Sequence, residues 1–388
     1  MDPAANSVSI LLPISGIMSE IWVKRQAESF NVLTPRLISW ECQKNPAWKL
    51  NNLDSTLNVS WNEPRKPLTK FLDKLGIDAS SSGLKTNDAL NHLLCGEIPS
   101  AAICHFGWTA AKSYRFLRSK NIPYYVIFHG LDLSIPRLKG SYLKNLRNAM
   151  CHASGCIIVG SHMKKILLDI CPTLDQGRIH QIPCGAPLDK FCNRPQPQRQ
   201  KDEPLKLITV GRLVQGKGID LCIEALKLVR SQNANVTLSV IGDGDQKEHL
   251  EGISKSHDLD KIVSFLGRKT PEEIAHLLSN HHVLIQPSRN ATNGWVEGFG
   301  VSITEAMASA LPVIASKTGG IPDQVQNEKN GFLFESEDYD SLADRIMRYQ
   351  NDELLRFSHG TSARNQSKNF DAKNLSRQLE NIILKKLR

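Results

Sequence analysis

Long hydrophobic runs are what this sequence most clearly lacks. Nowhere do about 18 apolar residues follow one another without a charge or a strong turn former, so no membrane-spanning helix is evident. The first 30 residues also lack a basic segment followed by a long apolar stretch, the pattern of a secretory leader. We therefore expect a protein that stays in the cytoplasm.

Cysteine pairs with metal-binding spacing are absent too. The nine cysteines are odd in number and scattered, and no C-x-x-C motif occurs among them. This argues against a disulfide scaffold or a cysteine-based metal site, so we interpret them as reduced thiols of the core. With 40% apolar and 22% charged residues, the chain is neither collagen-like nor disordered.

Acidic residues are scarce in the first half of the chain. Residues 1–190 hold 22 Lys and Arg against 14 Asp and Glu, whereas residues 191–388 hold 26 against 25. Such an excess indicates an anionic partner (an acidic membrane surface, a phosphorylated lipid or a nucleic acid) or else a solvated face with no partner. No helix-turn-helix, zinc-finger or aromatic RNA-binding signature accompanies the charge, which argues against nucleic acid.

The length of 388 residues suits two domains of roughly 150–200 residues each. β-Branched runs alternate with amphipathic stretches, which predicts parallel strands joined by helices. The predicted strands are 8–12, 101–105, 124–129, 155–160 and 179–183 in the first half and 205–210, 235–241, 261–266, 283–286 and 312–316 in the second. The predicted fold class is α/β, with two Rossmann-like, doubly wound parallel-sheet domains facing a cleft.

A proline-rich stretch marks the predicted domain boundary. Residues 193–204, NRPQPQRQKDEP, contain three prolines and no large apolar residue, as exposed linkers do. We predict one domain over residues 1–192 and another over residues 205–370. Residues 371–388 have the pattern of an amphipathic helix that needs a groove for its apolar stripe, and we place this helix back on the N-terminal domain.

The first cluster that could bind a ligand is G-R-L-V-Q-G-K-G at residues 211–218, between a predicted strand and a predicted helix. Its glycines allow tight turns, while Arg212 and Lys217 add two cations to a helix N-terminus that already favours anions. A diphosphate would suit this site. The cluster follows neither the Walker order nor G-x-G-x-x-G, so an ordinary strand-to-helix turn is the alternative.

Two further loops are predicted at the same sheet edge. I-G-D-G-D follows the next strand, and its Gly242 could let a base or a ribose lie against the backbone. L-G-R-K follows the strand after that and contributes Arg268. Because G-D-G is also a common turn, these loops gain weight only beside the first cluster.

The most specific element is E-G-F-G-V-S-I-T-E at residues 297–305, a glycine-flanked turn into a helix. The backbone N–H groups of Gly298, Phe299 and Gly300 could hold a phosphate, and Glu297 would lie beside a sugar. Glu305 would lie among apolar neighbours, where two ribose hydroxyls would compensate its charge. Exposure on the solvent face of the helix is the alternative.

The N-terminal half contributes three candidates. His129 closes an apolar strand in F-H-G-L-D, where it could hydrogen-bond a sugar hydroxyl from the cleft, although a lone histidine is more often structural. His105 has the same position on the preceding strand and is interpreted as a wall residue. Gly16 belongs to the loop after the first strand, which commonly approaches the ligand.

Together these motifs resemble the family-four retaining glycosyltransferases of the GT-B fold, also called glycosyltransferase group 1. The resemblance rests on G-R-L-V-Q-G-K-G, I-G-D-G, F-L-G-R and E-G-F-G-V-S-I-T-E-A-M-A, in this order over about residues 206–334. F-H-G-L-D and I-I-V-G-S-H-M-K-K extend it, in a pattern similar to bacterial colanic-acid and exopolysaccharide glycosyltransferases. Ser15-Gly16 in place of a glycine pair, and Pro187 where an acidic residue is frequent, depart from the family's commonest forms.

The resemblance implies a retaining hexosyltransferase that needs no metal or cofactor and uses a UDP- or GDP-linked sugar as donor. Arg212 and Lys217 would bind the donor's diphosphate and Glu305 its ribose, while Glu297 and His129 would contact the transferred sugar. The implied acceptor is a glycan or a lipid-linked molecule of cell-surface polysaccharide biosynthesis. The basic half would then attach the enzyme to the inner face of the cell membrane.

The same implication makes residues 1–192 the acceptor-side domain and residues 205–370 the donor domain. Inversion of the anomeric centre would instead require a base, for which His129 and Asp132 are the candidates. Two other functions stay open: a sugar-nucleotide epimerase, which needs no acceptor, and a scaffold subunit without turnover. The presence of both cations and both glutamates favours the transferase.

Overall fold

The computed structural model describes residues 6–17, 20–50, 54–57, 82–94, 97–134, 138–200, 202–291 and 294–387. The chain divides into two compact units. Unit 1 comprises residues 1–184 together with 372–388, and unit 2 comprises residues 185–371. Each unit is built on one parallel sheet, so the predicted α/β class with two doubly wound sheets is confirmed.

The sheet of unit 1 contains seven strands in the order β3-β2-β1-β4-β5-β6-β7. The strands are β1 (Ser7–Ser15), β2 (Thr34–Cys42), β3 (Ser55–Thr56), β4 (Ala101–His105), β5 (Tyr124–Phe128), β6 (Gly155–Ile158) and β7 (Ile179–Gln181). All their pairings are parallel. Every residue of β4 and β5 is buried, as expected of central strands in a parallel sheet.

Helices connect the strands of unit 1. They are α1 (Ile21–Glu28), α2 (Ser82–Leu93), α3 (Gly107–Ser119), α4 (Gly140–His152) and α5 (Met163–Ile170). Helix α3 packs beside α4. Its Ala110, Tyr114 and Leu117 recur at helical spacing and are buried, which gives α3 an apolar face toward the core.

The sheet of unit 2 contains six parallel strands in the order β10-β9-β8-β11-β12-β13. They are β8 (Leu205–Val210), β9 (Val236–Ile241), β10 (Val263–Phe265), β11 (Val283–Gln286), β12 (Val313–Ser316) and β13 (Gly331–Phe334). The strand order reverses between β8 and β11. This reversal is a topological switch point, where the loops after two neighbouring strands open a crevice.

Six α-helices lie within the described residues of unit 2. They are α6 (Ile219–Ser231), α7 (Lys247–Ser256), α8 (Pro271–Leu278), α9 (Val301–Ala308), α10 (Tyr339–Asn351) and α11 (Glu353–Ser367). Helix α8 begins with a capping box, in which Thr270 and Glu273 satisfy each other's backbone N–H groups, and with Pro271 in the first turn. Residues 193–200, predicted as a linker, hydrogen-bond within this unit: Arg194 donates to Ser279 at 2.7 Å and Arg199 donates to the carbonyl of Gln350 at 3.1 Å.

Helix α12 (Ala372–Leu387) belongs to unit 1 and packs against α1. Its apolar stripe buries Leu375, Leu379 and Ile383. Among them Glu380 is only 3% exposed, and its Oε1 accepts hydrogen bonds from the backbone N–H groups of residues 31–33 at 2.7–2.9 Å. One carboxylate therefore fixes α12 to the segment between α1 and β2.

Two sequence interpretations need correction. The predicted strands lack Thr34–Cys42, which pairs with β1, Ser55–Thr56, which pairs with β2, and Gly331–Phe334, which pairs with β12. Of the cysteines that the structure describes, all are free thiols, but Cys42 and Cys151 are exposed, so the interpretation of all cysteines as core residues is wrong. No helix within the described ranges is long and apolar enough to cross a membrane.

Candidate functional site

Glycines shape the turn between β8 and α6. Gln215–Lys217 forms one 3₁₀ turn, and Gly218 takes φ +64° at the start of α6. A Cβ at Gly218 would overlap the carbonyl oxygen of Pro287, which directly follows β11. The turn therefore lies against the end of β11, and only glycine fits this left-handed, crowded position.

Lys217 and Glu297 form a sheltered ion pair beside this turn. The Lys217 Nζ donates to Glu297 Oε2, and the two side chains are only 13% and 9% exposed. The same Oε2 accepts a hydrogen bond from Ser288 Oγ at 3.3 Å and lies 3.5 Å from Gln286 Nε2. We predicted Lys217 at a diphosphate and Glu297 at a sugar. The structure brings the two side chains together, in surroundings where charges interact strongly.

Trp295 adjoins this pair and was missed by the sequence analysis. Its indole packs directly on Gly216, where any side chain would overlap the ring. The Lys217 Nζ lies 5.3 Å from the centre of the ring, within cation–π distance. Nothing in the local sequence signals this contact, because Trp295 follows β11 and meets the 211–218 turn only in the folded sheet.

The backbone after Glu297 is fixed by neighbouring polar groups. The N–H of Gly320 donates to the carbonyl of Glu297 at 3.0 Å. The Gln324 Nε2 donates to the carbonyl of Phe299, and the Oε1 of the same amide accepts from Thr304 Oγ1 at 2.6 Å. Both the N–H and the oxygen of the buried Gln324 amide are therefore hydrogen-bonded, and these bonds hold the loop in one conformation.

The N-terminus of α9 offers backbone donors. Gly300 takes φ +85° directly before the helix. No described residue accepts a hydrogen bond from the N–H groups of Gly298, Phe299 or Gly300. Helix N-termini favour negative charge, so these groups can bind an anion in the way the sequence predicted.

Glu305 is less buried than its apolar neighbours in the sequence led us to expect. Ile303, Ala306 and Met307 are fully buried, but Glu305 itself is half-buried. Its charge keeps contact with solvent, and desolvation alone does not require a ligand to compensate it. A role for Glu305 at a ribose stays a prediction.

The loops after β8, β9 and β10 lie side by side, as predicted. The N–H of Gly211 donates to the carbonyl of Ile241 at 3.0 Å, and that of Gly242 donates to the carbonyl of Gly267 at 2.9 Å. Arg212 is exposed. Arg268 is 81% exposed and pairs with Asp243 at 3.1 Å. Both arginines can therefore move toward a ligand without breaking a buried interaction.

In unit 1, His105 and His129 lie together at the ends of β4 and β5. The His105 Nδ1 is 3.3 Å from His129 Nε2, and the rings of Trp22 and Phe106 have their centres 4.3 Å and 4.7 Å from that of His129. Burial lowers the pKa of His105 to about 3. Burial and the adjacent His105 also hold the pKa of His129 well below its usual value, so both rings are neutral at pH 7.

Asp132, a candidate base in the sequence analysis, has a structural role here. It is fully buried, and its Oδ2 accepts from the N–H of Gly107 at 2.7 Å. Its Oδ1 accepts from the N–H groups of His129 and Gly130 at 3.1 Å and 2.9 Å. Burial raises the pKa of Asp132 to about 6, against the opposing effect of these hydrogen bonds. The carboxylate ties the loop after β5 to the start of α3.

Gly16 has a packing reason to be glycine. It takes φ +84°, and a Cβ would overlap the ring of Pro46. The carbonyl of Gly16 accepts from the N–H of Ala47 at 2.9 Å. A role for Gly16 in donor binding stays a prediction. Throughout the residues that the structure describes, no group of three or more His, Cys, Asp or Glu side chains is placed to hold a metal ion.

Comparison with known proteins agrees with the motifs of unit 2. Residues 192–368 match the family model described as glycosyl transferases group 1. The chain is 26% identical over 287 residues to the putative colanic acid biosynthesis glycosyltransferase WcaL of Escherichia coli K12, covering 69% of this chain and 66% of that protein. It is 27% identical over 252 residues to the amylovoran biosynthesis glycosyltransferase AmsK of Erwinia amylovora, covering 63% of this chain and 60% of that one.

These matches leave about a third or more of each relative's length unmatched. The fold is similar over nearly the whole chain. HepE of Anabaena, solved in complex with UDP, superposes with a TM-score of 0.74 over 97% of this chain and 98% of that one, at 16% identity. The two parallel-sheet units are therefore those of a GT-B fold.

Proposed function

We propose that this chain, which carries a glycosyl transferases group 1 domain at residues 192–368, transfers a sugar from a nucleoside-diphosphate sugar to a glycan or lipid-linked acceptor of exopolysaccharide biosynthesis. The sheltered Lys217–Glu297 pair at the switch point of unit 2 carries the proposal. Ligands of doubly wound sheets bind at this point. A cation and a carboxylate held there suit a phosphate and a sugar hydroxyl, respectively.

The diphosphate is assigned to the loops after β8 and β11. Lys217 and Arg212 would neutralise its charge, and the N–H groups of residues 298–300 would donate to its oxygens. Binding of a dianion would draw the Lys217 Nζ away from Glu297 and free the carboxylate for the sugar.

The remaining contacts are assigned from the motifs. Glu297 and His129 would hold the transferred sugar, and Glu305 would accept hydrogen bonds from the ribose. Gly242 and Arg268 lie at the loops after β9 and β10, where a base would be bound. Gly16 is also assigned to donor binding. Residues 1–192 would act on the acceptor side and residues 205–370 on the donor side.

The chemistry is assigned as retaining. The bond between the anomeric carbon and the leaving phosphate oxygen breaks while the acceptor oxygen attacks from the same face, and the leaving phosphate takes the acceptor's proton. Lys217 and Arg212 would stabilise the charge that grows on the diphosphate, and the proposal needs no metal. A neutral His129 with a lowered pKa and an Asp132 occupied by backbone donors are poor bases, which favours retention over inversion.

Donor binding is tested by thermal stabilisation with UDP, GDP, ADP and their sugars. At about 100 times its dissociation constant, a ligand adds about 2.7 kcal/mol of stability. We expect one nucleoside diphosphate to raise the melting temperature of the wild type, and Glu305→Ala to weaken that effect. Glu251→Ala, which removes an exposed glutamate of α7, should bind like the wild type. If no nucleotide shifts melting at millimolar concentration, the donor site is wrongly assigned and the scaffold function replaces it.

We also propose that the basic half of the chain holds the enzyme on the anionic inner face of the cell membrane. Between Glu97 and Asp169 the sequence has ten Lys and Arg and a single acid, Asp132, which is buried. Six of these cations are exposed on or beside the adjacent helices α3 and α4: Arg115, Arg118, Lys120, Lys139, Lys144 and Arg147. Arg137 belongs to the same group of ten cations in the sequence and lies outside the described residues. Clustered surface cations of this kind attract anionic lipid headgroups.

Vesicle sedimentation tests this proposal. At low salt the protein should pellet with vesicles that contain about a third phosphatidylglycerol, and it should stay in solution with neutral vesicles. Low salt is chosen because at 0.1 M salt the attraction is already screened over about 10 Å. Arg118→Glu, Lys120→Glu and Lys144→Glu together should abolish binding. The matched charge change at Lys255, Lys261 and Lys329 of unit 2 should not. If both triple variants lost vesicle binding equally, the binding would depend only on the net charge of the protein, and the proposed docking face would be contradicted.

A further inference from the structure

His105 has a polar atom that the fold leaves unused. The ring is fully buried, and its Nε2 has no hydrogen-bond partner among the described residues. Its other nitrogen, Nδ1, lies 3.3 Å from Nε2 of His129. A buried polar atom without a partner is unusual and constrains where the protons of the two rings can be.

Only two arrangements of protons satisfy the contact between these neutral rings. In the first, His105 carries its proton on Nδ1 and donates it to a bare Nε2 of His129. In the second, His129 donates from Nε2, so the proton of His105 is on the buried Nε2. The second arrangement buries an N–H group without an acceptor, which proteins avoid more strictly than an unused acceptor. The first arrangement is therefore favoured.

We propose that His105 is a positioning residue that fixes the tautomer of His129. With Nε2 of His129 occupied as an acceptor, the proton of His129 must be on Nδ1, and the ring presents an N–H donor on that side. The Cys184 Sγ lies 4.0 Å from this nitrogen. A thiol sulfur at this distance is a weak acceptor, so the Nδ1–H stays available to a stronger acceptor.

The acceptor this donor fits is a hydroxyl oxygen of the transferred sugar, an assignment that rests on the proposed function. The surroundings keep the donor fixed. Asp132 holds the backbone N–H of His129 at 3.1 Å, and Trp22 and Phe106 pack against the ring. Among the described residues, the titratable groups that contact the two rings or the backbone of His129 are the rings themselves, Cys184 and Asp132. A neutral, preoriented N–H donor binds a hydroxyl equally well across the physiological pH range.

The tautomer can be read directly. In protein labelled with ¹⁵N-histidine, long-range ¹H–¹⁵N correlation spectra distinguish an Nδ1–H from an Nε2–H imidazole, and the peaks of His129 are assigned by their loss in His129→Asn. We expect the Nδ1–H form in the wild type. His105→Asn should preserve it, because the amide Nδ2–H can replace the imidazole Nδ1–H. His105→Leu should shift His129 toward the Nε2–H form.

The same variants separate this proposal from the proposed function. In His105→Leu we expect affinity for the nucleotide sugar to fall about fivefold to tenfold while affinity for the free nucleoside diphosphate stays unchanged, with recovery in His105→Asn. An Nε2–H form of His129 in the wild type, or the same tautomer in both variants, would overturn the role of His105. The predicted tautomers with no change in sugar affinity would uphold that role and remove His129 from the sugar site.

Discussion

Replacing Lys217 by methionine should lower kcat/KM for sugar transfer by about 10²–10³, the usual effect of removing one preorganised charge from a developing anion. Methionine keeps most of the apolar stem beside Trp295 and deletes only the cation. The loss should appear mainly in kcat, because the charge on the leaving diphosphate grows in the transition state. Steady-state kinetics with saturating acceptor measures it.

A matched control is available on the surface of the same unit. Lys317 pairs with Glu335 at 3.3 Å, but these side chains are 59% and 71% exposed. Lys317→Met should therefore leave kcat/KM within twofold, because exposed pairs contribute roughly 0–1 kcal/mol. If Lys217→Met were no more impaired than this control, the cation would not act on the reaction.

The double variant Lys217→Met with Glu297→Gln separates stability from catalysis. Lys217→Met alone leaves a sheltered carboxylate without its cation and should destabilise unit 2 by about 3 kcal/mol. Glu297→Gln removes that uncompensated charge, so the double variant should regain much of the stability. Activity should stay low. Recovery of activity together with stability would mean that the pair only supports the fold.

The second large effect is expected at Glu380. Glu380→Ala leaves three backbone N–H groups of residues 31–33 without their acceptor and should lower the free energy of unfolding by about 3–5 kcal/mol. Urea unfolding monitored by tryptophan fluorescence reports mainly on unit 1, because five of the six tryptophans precede residue 185.

Two variants calibrate that result. Glu380→Gln keeps an oxygen at the position of Oε1, which accepts from all three N–H groups, and should lose only about 1–2 kcal/mol. Gln378→Ala, on the exposed side of α12, should change stability by less than about 0.5 kcal/mol. If Glu380→Ala behaved like Gln378→Ala, α12 would be fixed by its apolar stripe alone.

The alternation of strands and helices was predictable because each element has a simple period. Strands such as β8 and β9 are β-branched runs, and the helices between them carry apolar residues at helical spacing. The strand Thr34–Cys42 was missed because it begins with Thr34, Pro35 and Arg36 and has only a short apolar stretch after them, and it is identified only by pairing with β1. Tertiary pairing overrides local propensity at such positions.

The sequence was enough to predict which loops form the site, but not which side chains contact one another there. Lys217 and Glu297 are 80 residues apart, and only the adjacency of β8 and β11 brings them together. Trp295 and the His105–His129 pair depend on the same kind of long-range placement. Gly16 and Asp132, predicted as a ligand-binding and an acid–base group, also have structural contacts with Pro46 and Gly107 that no sequence pattern shows.

Donor turnover tests the central claim most directly. The wild type is incubated with UDP- and GDP-linked hexoses, and ¹H NMR follows the anomeric proton while water serves as the acceptor. We predict that one donor is converted to its nucleoside diphosphate and that the sugar first appears with the anomeric configuration of the donor. Lys217→Met should slow the conversion by about 10²–10³, whereas Lys317→Met should leave it within about twofold of the wild type. The account would be contradicted if the protein neither bound nor converted any of these donors. It would also be contradicted if the sugar were first released with the inverted anomeric configuration.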